Sequence, residues 1–457
     1  MKKSPIPNLE DRLPSDRTYR IFGWSTLIAI ALIVIYGFWL SQFFPAPRAV
    51  GFRLVVSLIL LFNALWWATA DRRLARHILS ARQTMLSRLS IATFSVALNA
   101  PIVYMLIAGR MPDFLVTAPT WYAAAVTIWH LSLVTLMPIL ASIRLIALGL
   151  LALQRRFIQP AEDPEKTGSV ANPKRRAWLH TAAASVPVAL LGGATVTART
   201  QEHKLLVRRL PLKAPWLPDR LRGLTITHIS DLHVGRHYRP YMLRRLVDVV
   251  NDLKSDLILA TGDIVDVSND MLPPAVEAFR RMEQRYGLFN CIGNHDEIDN
   301  RSDFIKYYRQ SLPLLINQRR SLEIGGERLT IAGLDYARPD SPTNRYGGPL
   351  ENVRRTLKDY DAERDGPVIA LAHHPHTFDQ LAEHMVPLTL SGHTHGGQLM
   401  LTPPDSNLKI GAGRLLFRYV RGFYTESDST LFVNSGVGNW FPLRLHAPAE
   451  VVQIQLI

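Results

Sequence analysis

The sequence predicts two architectures in one chain: an all-α bundle of membrane helices, then an α/β domain with a layered sheet core. Three observations predict this. Long apolar runs dominate the N-terminal part. From about residue 205 the apolar runs shorten to strand length and alternate with helically spaced segments. Basic residues gather between the long apolar runs, as they do at the inner face of a membrane.

A bilayer crossing takes about 20 apolar residues. The runs 21–43, 52–70 and 89–108 each supply that length. The run 121–153 exceeds it and contains His130 and Arg144. It reads as a tilted span followed by an interfacial helix, with both polar side chains snorkelling toward an interface. Residues 1–157 are therefore expected to form about four spans. The segment 158–177, with prolines, mixed charges and Gly-Ser, reads as a cytoplasmic linker. A fifth run, 178–198, is less apolar and follows Lys174-Arg175-Arg176. It loosely resembles a twin-arginine export signal and is expected to be a last span or a signal anchor.

Loop charge orients the bundle. Lysines and arginines crowd the N-terminal tail, the loop after the second run and the linker, while the intervening loops carry few. Positive-inside bias puts those three segments in the cytoplasm. Five spans then place the C-terminal domain outside; without the fifth it stays inside. The expected location is a bacterial inner membrane, crossed several times, with the C-terminal domain facing the periplasm or exterior. The net charge of +14 fits this lipid partner. No zinc-finger spacing, aromatic-basic stripe or basic tail points to nucleic acid. The single cysteine, Cys291, excludes an intramolecular disulfide. It lies in the apolar run 286–292 and reads as a buried strand thiol.

Within 205–457, strands are expected at 224–230, 256–260, 287–292, 329–334, 368–372, 387–390, 431–434 and 451–456. Helices are expected at 241–253, 275–284 and 304–312. Five polar clusters follow apolar runs: Asp231-Leu232-His233, Gly262-Asp263, Gly293-Asn294-His295-Asp296, Ala372-His373-His374-Pro375 and Gly392-His393-Thr394-His395. In extended backbone, Asp231 and His233 would face one way and serve one cation. Asp263 offers two carboxylate oxygens, enough to bridge two ions. Asn294 adds a neutral oxygen. His393 and His395 repeat the alternate spacing and can reach different ions. Each cluster alone has a bland reading: a turn, a helix cap at Asn294-His295-Asp296, or a buried histidine. All five in order make the inventory of a two-metal hydrolytic site.

These clusters, with Asn434-Ser435-Gly436-Val437-Gly438 and Pro448-Ala449-Glu450, resemble the calcineurin-like metallophosphoesterases, and among them the YkuE/YaeI-like subgroup. The resemblance covers roughly residues 221–456. It implies two packed mixed β-sheets flanked by helices, with two divalent ions at the sheet edge. It assigns Asp231, His233 and His395 to one ion, Asn294, His373 and His393 to the other, and Asp263 to both. His373 is preferred over His374. His295 matches the catalytic histidine, with Asp296 orienting it or capping a helix. The implied reaction is hydrolysis of a phosphodiester, phosphomonoester or pyrophosphate bond by activated water. Mn, Fe or Zn suits the mixed N/O donors. The substrate is expected to be a phosphorylated small molecule or a lipid headgroup. Phe423, Tyr424, Trp440 and Phe441 are either an apolar rim for it or ordinary core. Alternatives are a UDP-2,3-diacylglucosamine pyrophosphatase of lipid A synthesis, or a non-catalytic membrane sensor or scaffold.

Overall fold

The computed structural model describes part of 57–200, including the whole of helix Ala81–Ala108, and then 204–457 apart from 338–347 and a few positions between 399 and 442. The chain divides into two compact units, Met1–Val196 and Thr197–Ile457.

In the first unit, helix Ala81–Ala108 contains the expected third span and carries Pro101 in its interior. The Trp129 ring meets Trp66 and Phe94 edge-on, with centroids 4.6 and 5.0 Å away. Its Nε1 donates to Asn63 Oδ1 at 2.6 Å. His130 does not snorkel. It is buried, with Nδ1 2.6 Å from the Val126 carbonyl and Nε2 3.2 Å from Asn99 Oδ1. Local polar partners remove the need to reach an interface. Among the described residues no helix is long and apolar enough to cross a membrane. The run 21–43 lies outside the described residues, the runs 52–70, 121–153 and 178–198 lie partly outside them, and Arg144 lies outside them too.

The second unit is built on eleven strands among the described residues. Sheet one contains β1 (Leu205–Leu212), β2 (Thr225–Ile229), β3 (Leu257–Thr261), β4 (Gly287–Cys291) and β11 (Ala449–Leu456), in the order β1-β11-β2-β3-β4. Sheet two contains β5 (Gln318–Ile324), β6 (Glu327–Gly333), β7 (Val368–Leu371), β8 (Leu388–Ser391), β9 (Gly422–Glu426) and β10 (Ser429–Val433), in the order β5-β6-β7-β8-β10-β9. Both sheets are mixed. β2, β3 and β4 run parallel, as do β6, β7, β8 and β10. β11 lies antiparallel to β2, and β5 and β9 close the second sheet antiparallel.

Strand periodicity divides the core into layers. Leu257 and Leu259 of β3 face Ile331, Ile369, Leu371, Leu388 and Phe432 of the other sheet. Cys291 is buried in this inner layer, and burial pushes its thiol pKa up. The intervening Ile258 and Ala260 point outward, against helices Leu243–Asp252, Leu272–Arg280 and Arg301–Arg309. Leu243, Leu246, Val247 and Val250 form the apolar stripe that docks the first of these helices. Asn300 caps the third, accepting from Ser302 N and Asp303 N. Helices Pro349–Leu357 and Phe378–Glu383 cover sheet two through Val353 and Leu381. Phe423 joins the inner layer 4.7 Å from the Phe432 ring, and the Tyr424 hydroxyl accepts from Val420 N at 2.9 Å. Both therefore serve packing. Trp440 and Phe441 lie outside the described residues.

Candidate metal centre

The five polar clusters sit just past the carboxyl ends of β2, β3, β4, β7 and β8. Glycine lets the loops meet. A Cβ on Gly262 would lie 2.5 Å from Gly293 N, so the loops after β3 and β4 touch backbone to backbone. A Cβ on Gly392 would lie 2.2 Å from Asp231 Oδ2. The loops do not continue the strands. Asp231, His233, Asp263, His393 and His395 all have positive φ, between 46° and 71°. This corrects the extended geometry expected for Asp231-Leu232-His233. The two side chains converge through left-handed turns, not through pleat alternation. Asp231 N and His233 N donate to the carbonyls of Gly262 and Asp263, at 3.1 and 3.0 Å, which holds the turn in place.

The seven expected ligands come together in two clusters. In the first, His395 Nε2 lies 3.0 Å from His233 Nε2 and 3.4 Å from Asp231 Oδ1. In the second, His373 Nε2 lies 3.3 Å from His393 Nδ1 and 3.2 Å from Asn294 Oδ1. Asp263 Oδ2 belongs to both, 3.5 Å from His233 Nε2 and 3.2 Å from His373 Nε2. The neighbouring His374 accepts at Nδ1 from His376 N at 3.3 Å.

Burial makes the charges in this pocket act strongly on one another. Burial alone would raise Asp231 and Asp263, but neighbouring imidazoles hold both below the usual carboxylate range. Burial would lower His233 and His373, but the carboxylates raise them to about 10 and about 9. Burial, with His373 charged beside it, takes His393 down to about 3. Burial likewise lowers His395.

The layer behind the ligands was less visible in the sequence. Asp266 is fully buried. Its Oδ2 accepts from Arg236 Nε at 2.5 Å, and its Oδ1 lies 3.5 Å from His295 Nδ1 and 3.8 Å from His233 Nδ1. Burial would raise Asp266, but His233, His295 and Arg236 beside it hold it well below the ordinary range. His295 Nδ1 is also 2.5 Å from the Asp266 carbonyl. Asp266, not Asp296, therefore orients His295. The Asp296 carboxylate instead accepts from the backbone N–H groups of Asp263, Ile264, Val265 and Gly293, at 2.8–3.3 Å, tying the loops after β3 and β4 together. The spacing Asp263-x-x-Asp266 after a glycine was the available signal.

Under Asp231 lies the loop after β10. Val437 N and Gly438 N donate to the Ser230 and Asp231 carbonyls, and Glu450 Oε1 accepts from Ser435 N. Arg444 is buried behind this loop. It donates to the Ser435 and Ala447 carbonyls and lies 3.4 Å from His395 Nδ1. No local pattern marks Arg444 in the sequence.

The donor chemistry fits a pair of divalent cations. Two groups, Asp231/His233/His395 and Asp263/His373/His393, each place one carboxylate oxygen and two imidazole nitrogens within 4.8 Å of one another. Two ring nitrogens 3.0 Å apart, both inside a buried carboxylate cluster, need positive charge between or upon them. Residues 224–397 match the calcineurin-like phosphoesterase family. The chain carries a calcineurin-like metallophosphoesterase domain. That family comprises metal-dependent phosphoesterases. A transmembrane protein with a metallophosphoesterase domain from Danio rerio is 29% identical over 61% of this chain and 63% of its own length. An uncharacterized metallophosphoesterase from Helicobacter pylori is 30% identical over 54% of this chain and 63% of its own. The metallophosphoesterase YkuE from Bacillus subtilis is 26% identical over 58% of this chain and 90% of its own. The match thus covers under two thirds of the first two relatives.

Proposed function

We propose that this chain is a membrane-anchored phosphoesterase that hydrolyses phosphodiester, phosphomonoester or pyrophosphate bonds in a phosphorylated small molecule or lipid headgroup. One observation carries the catalytic part: a single Asp263 oxygen lies within 3.5 Å of imidazoles from both clusters. Asp231, His233 and His395 would hold one ion of Mn, Fe or Zn. Asn294, His373 and His393 would hold the other, with Asp263 shared. Such a pair, when bound, supplies Lewis acidity to phosphoryl oxygens and lowers the pKa of water. His295 handles the second proton. The Asp266 carbonyl takes its Nδ1 side, which leaves Nε2 to exchange a proton with the leaving oxygen. His295 N donates to Asp263 Oδ1 at 2.8 Å, so ligand and acid are positioned by one turn.

Membrane anchoring rests on the apolar runs and on relatives from Danio rerio and Bos taurus that are named transmembrane proteins with this domain. With five runs spanning, the charge pattern turns the domain away from the cytoplasm. His393→Ala should abolish most metal-dependent turnover of bis-p-nitrophenyl phosphate. Full activity in that variant refutes the site. Protease access in intact and broken spheroplasts checks the orientation, and protection until breakage contradicts it.

A further inference from the structure

Beside the start of β1 a cavity of about 300 Å³ opens, a size at the small end of ligand pockets. Part of its wall is apolar. Leu205 and Met242 line it and pack on the core. Tyr238 is buried, and its hydroxyl reaches the Met242 carbonyl at 3.5 Å. Val437 forms another wall, on the loop whose N–H groups hold the Ser230 and Asp231 carbonyls. The remaining lining has a different character. Lys204 and Arg245 are exposed cations, and Tyr241 is 74% exposed. An apolar slot with two cations and an exposed tyrosine matches a molecule with an apolar chain and an anionic head. Lys204 also follows the apolar run 178–198 by six residues, a tether of at most about 20 Å.

We propose that this cavity holds one acyl chain of an anionic membrane phospholipid, whose phosphate lies against Lys204 and Arg245. The inference rests on the membrane anchoring proposed above. The lipid is bound here, not cleaved; none of these side chains belongs to the two ligand clusters.

The test uses the full chain in phosphatidylcholine nanodiscs containing phosphatidylglycerol with a diazirine on one acyl chain. After irradiation, label should map to the peptide containing Tyr238, Tyr241 and Met242. Lys204→Glu with Arg245→Glu should cut labelling by about 25-fold or more, because each cation near a membrane surface contributes a factor of about five. Met242→Trp, which fills the slot, should cut it as well. Turnover of bis-p-nitrophenyl phosphate should stay at the wild-type level in each variant. Label elsewhere on the chain, undiminished label in both variants, or equal labelling by the phosphatidylcholine analogue would overturn the proposal. Carbonate extraction separates the two readings. A chain that leaves the membrane refutes anchoring, whereas a carbonate-resistant chain with an unlabelled cavity refutes the lipid site alone.

Discussion

Asp266→Asn removes one charge and almost no volume, so it isolates what the carboxylate does. Arg236 contacts both Asp266 oxygens, at 2.5 and 3.1 Å, and two imidazoles stand within 3.8 Å of Oδ1. The variant leaves Arg236 beside those imidazoles without the Asp266 carboxylate. Losing one partner of a buried ion pair costs about 3–5 kcal/mol. The Arg236 side chain retains 16% exposure, which puts the expected loss near the lower bound, about 3 kcal/mol. Turnover falls for a separate reason. Carboxylates that orient an active imidazole are worth about 10–100-fold. The His295 contact to the Asp266 carbonyl survives the change, so a loss of about tenfold in kcat is expected. Steady-state hydrolysis of bis-p-nitrophenyl phosphate across pH, paired with guanidinium unfolding, measures both quantities. A variant with wild-type kcat, pH profile and unfolding midpoint refutes the reasoning.

Other substitutions separate packing from chemistry. His228 is buried beside Phe432, 2.9 Å from Thr261 Oγ1, and burial lowers its pKa to about 3 against the pull of Asp231. Its folded pKa lies below the unfolded value of about 6.5, so its contribution is complete above that pH and is lost as pH falls toward 3, by about 1.4 kcal/mol per unit. His228→Asn should remove this slope from the variant's own stability curve, so that the gap between the two proteins changes with pH by that amount; parallel curves would contradict it. Asp296→Ala strips four backbone N–H groups of their acceptor, each worth about 1–3 kcal/mol, and should lower the unfolding midpoint sharply. If only kcat fell, Asp296 would be acting on His295 after all. Gly392→Ala forces a methyl group to 1.8 Å from Ser230 Oγ and should weaken metal binding together with thermal stability. Unchanged metal titration in that variant would mean that the loop relaxes freely.

The strands that were legible are those rich in apolar and β-branched residues: β2, β3, β4, β6, β7, β8, β10 and β11. The ones missed are β1, β5 and β9. β1 reads Leu-Leu-Val-Arg-Arg-Leu-Pro-Leu and β5 alternates exposed and half-buried positions. All three lie at sheet edges, where one side faces solvent and charges or a proline are tolerated. Helix Phe378–Glu383, of six residues, is too short for periodicity to mark it. The ligands were legible because they occur as compact clusters at strand ends. Their backbone was not. Positive φ at Asp231 and Asp263 is imposed by loops packed against glycines far away in sequence. Arg444 was missed for a related reason: an isolated charged residue reads as solvated surface until tertiary packing buries it.

Metal stoichiometry of the purified full chain tests the shared carboxylate most directly. After manganese loading and removal of free ion, two equivalents per chain are expected in the wild type. Asp263→Ala should lose affinity at both positions together, since its oxygen serves both clusters. Retention of two tightly held equivalents in that variant, or a single equivalent in the wild type at saturation, would contradict it.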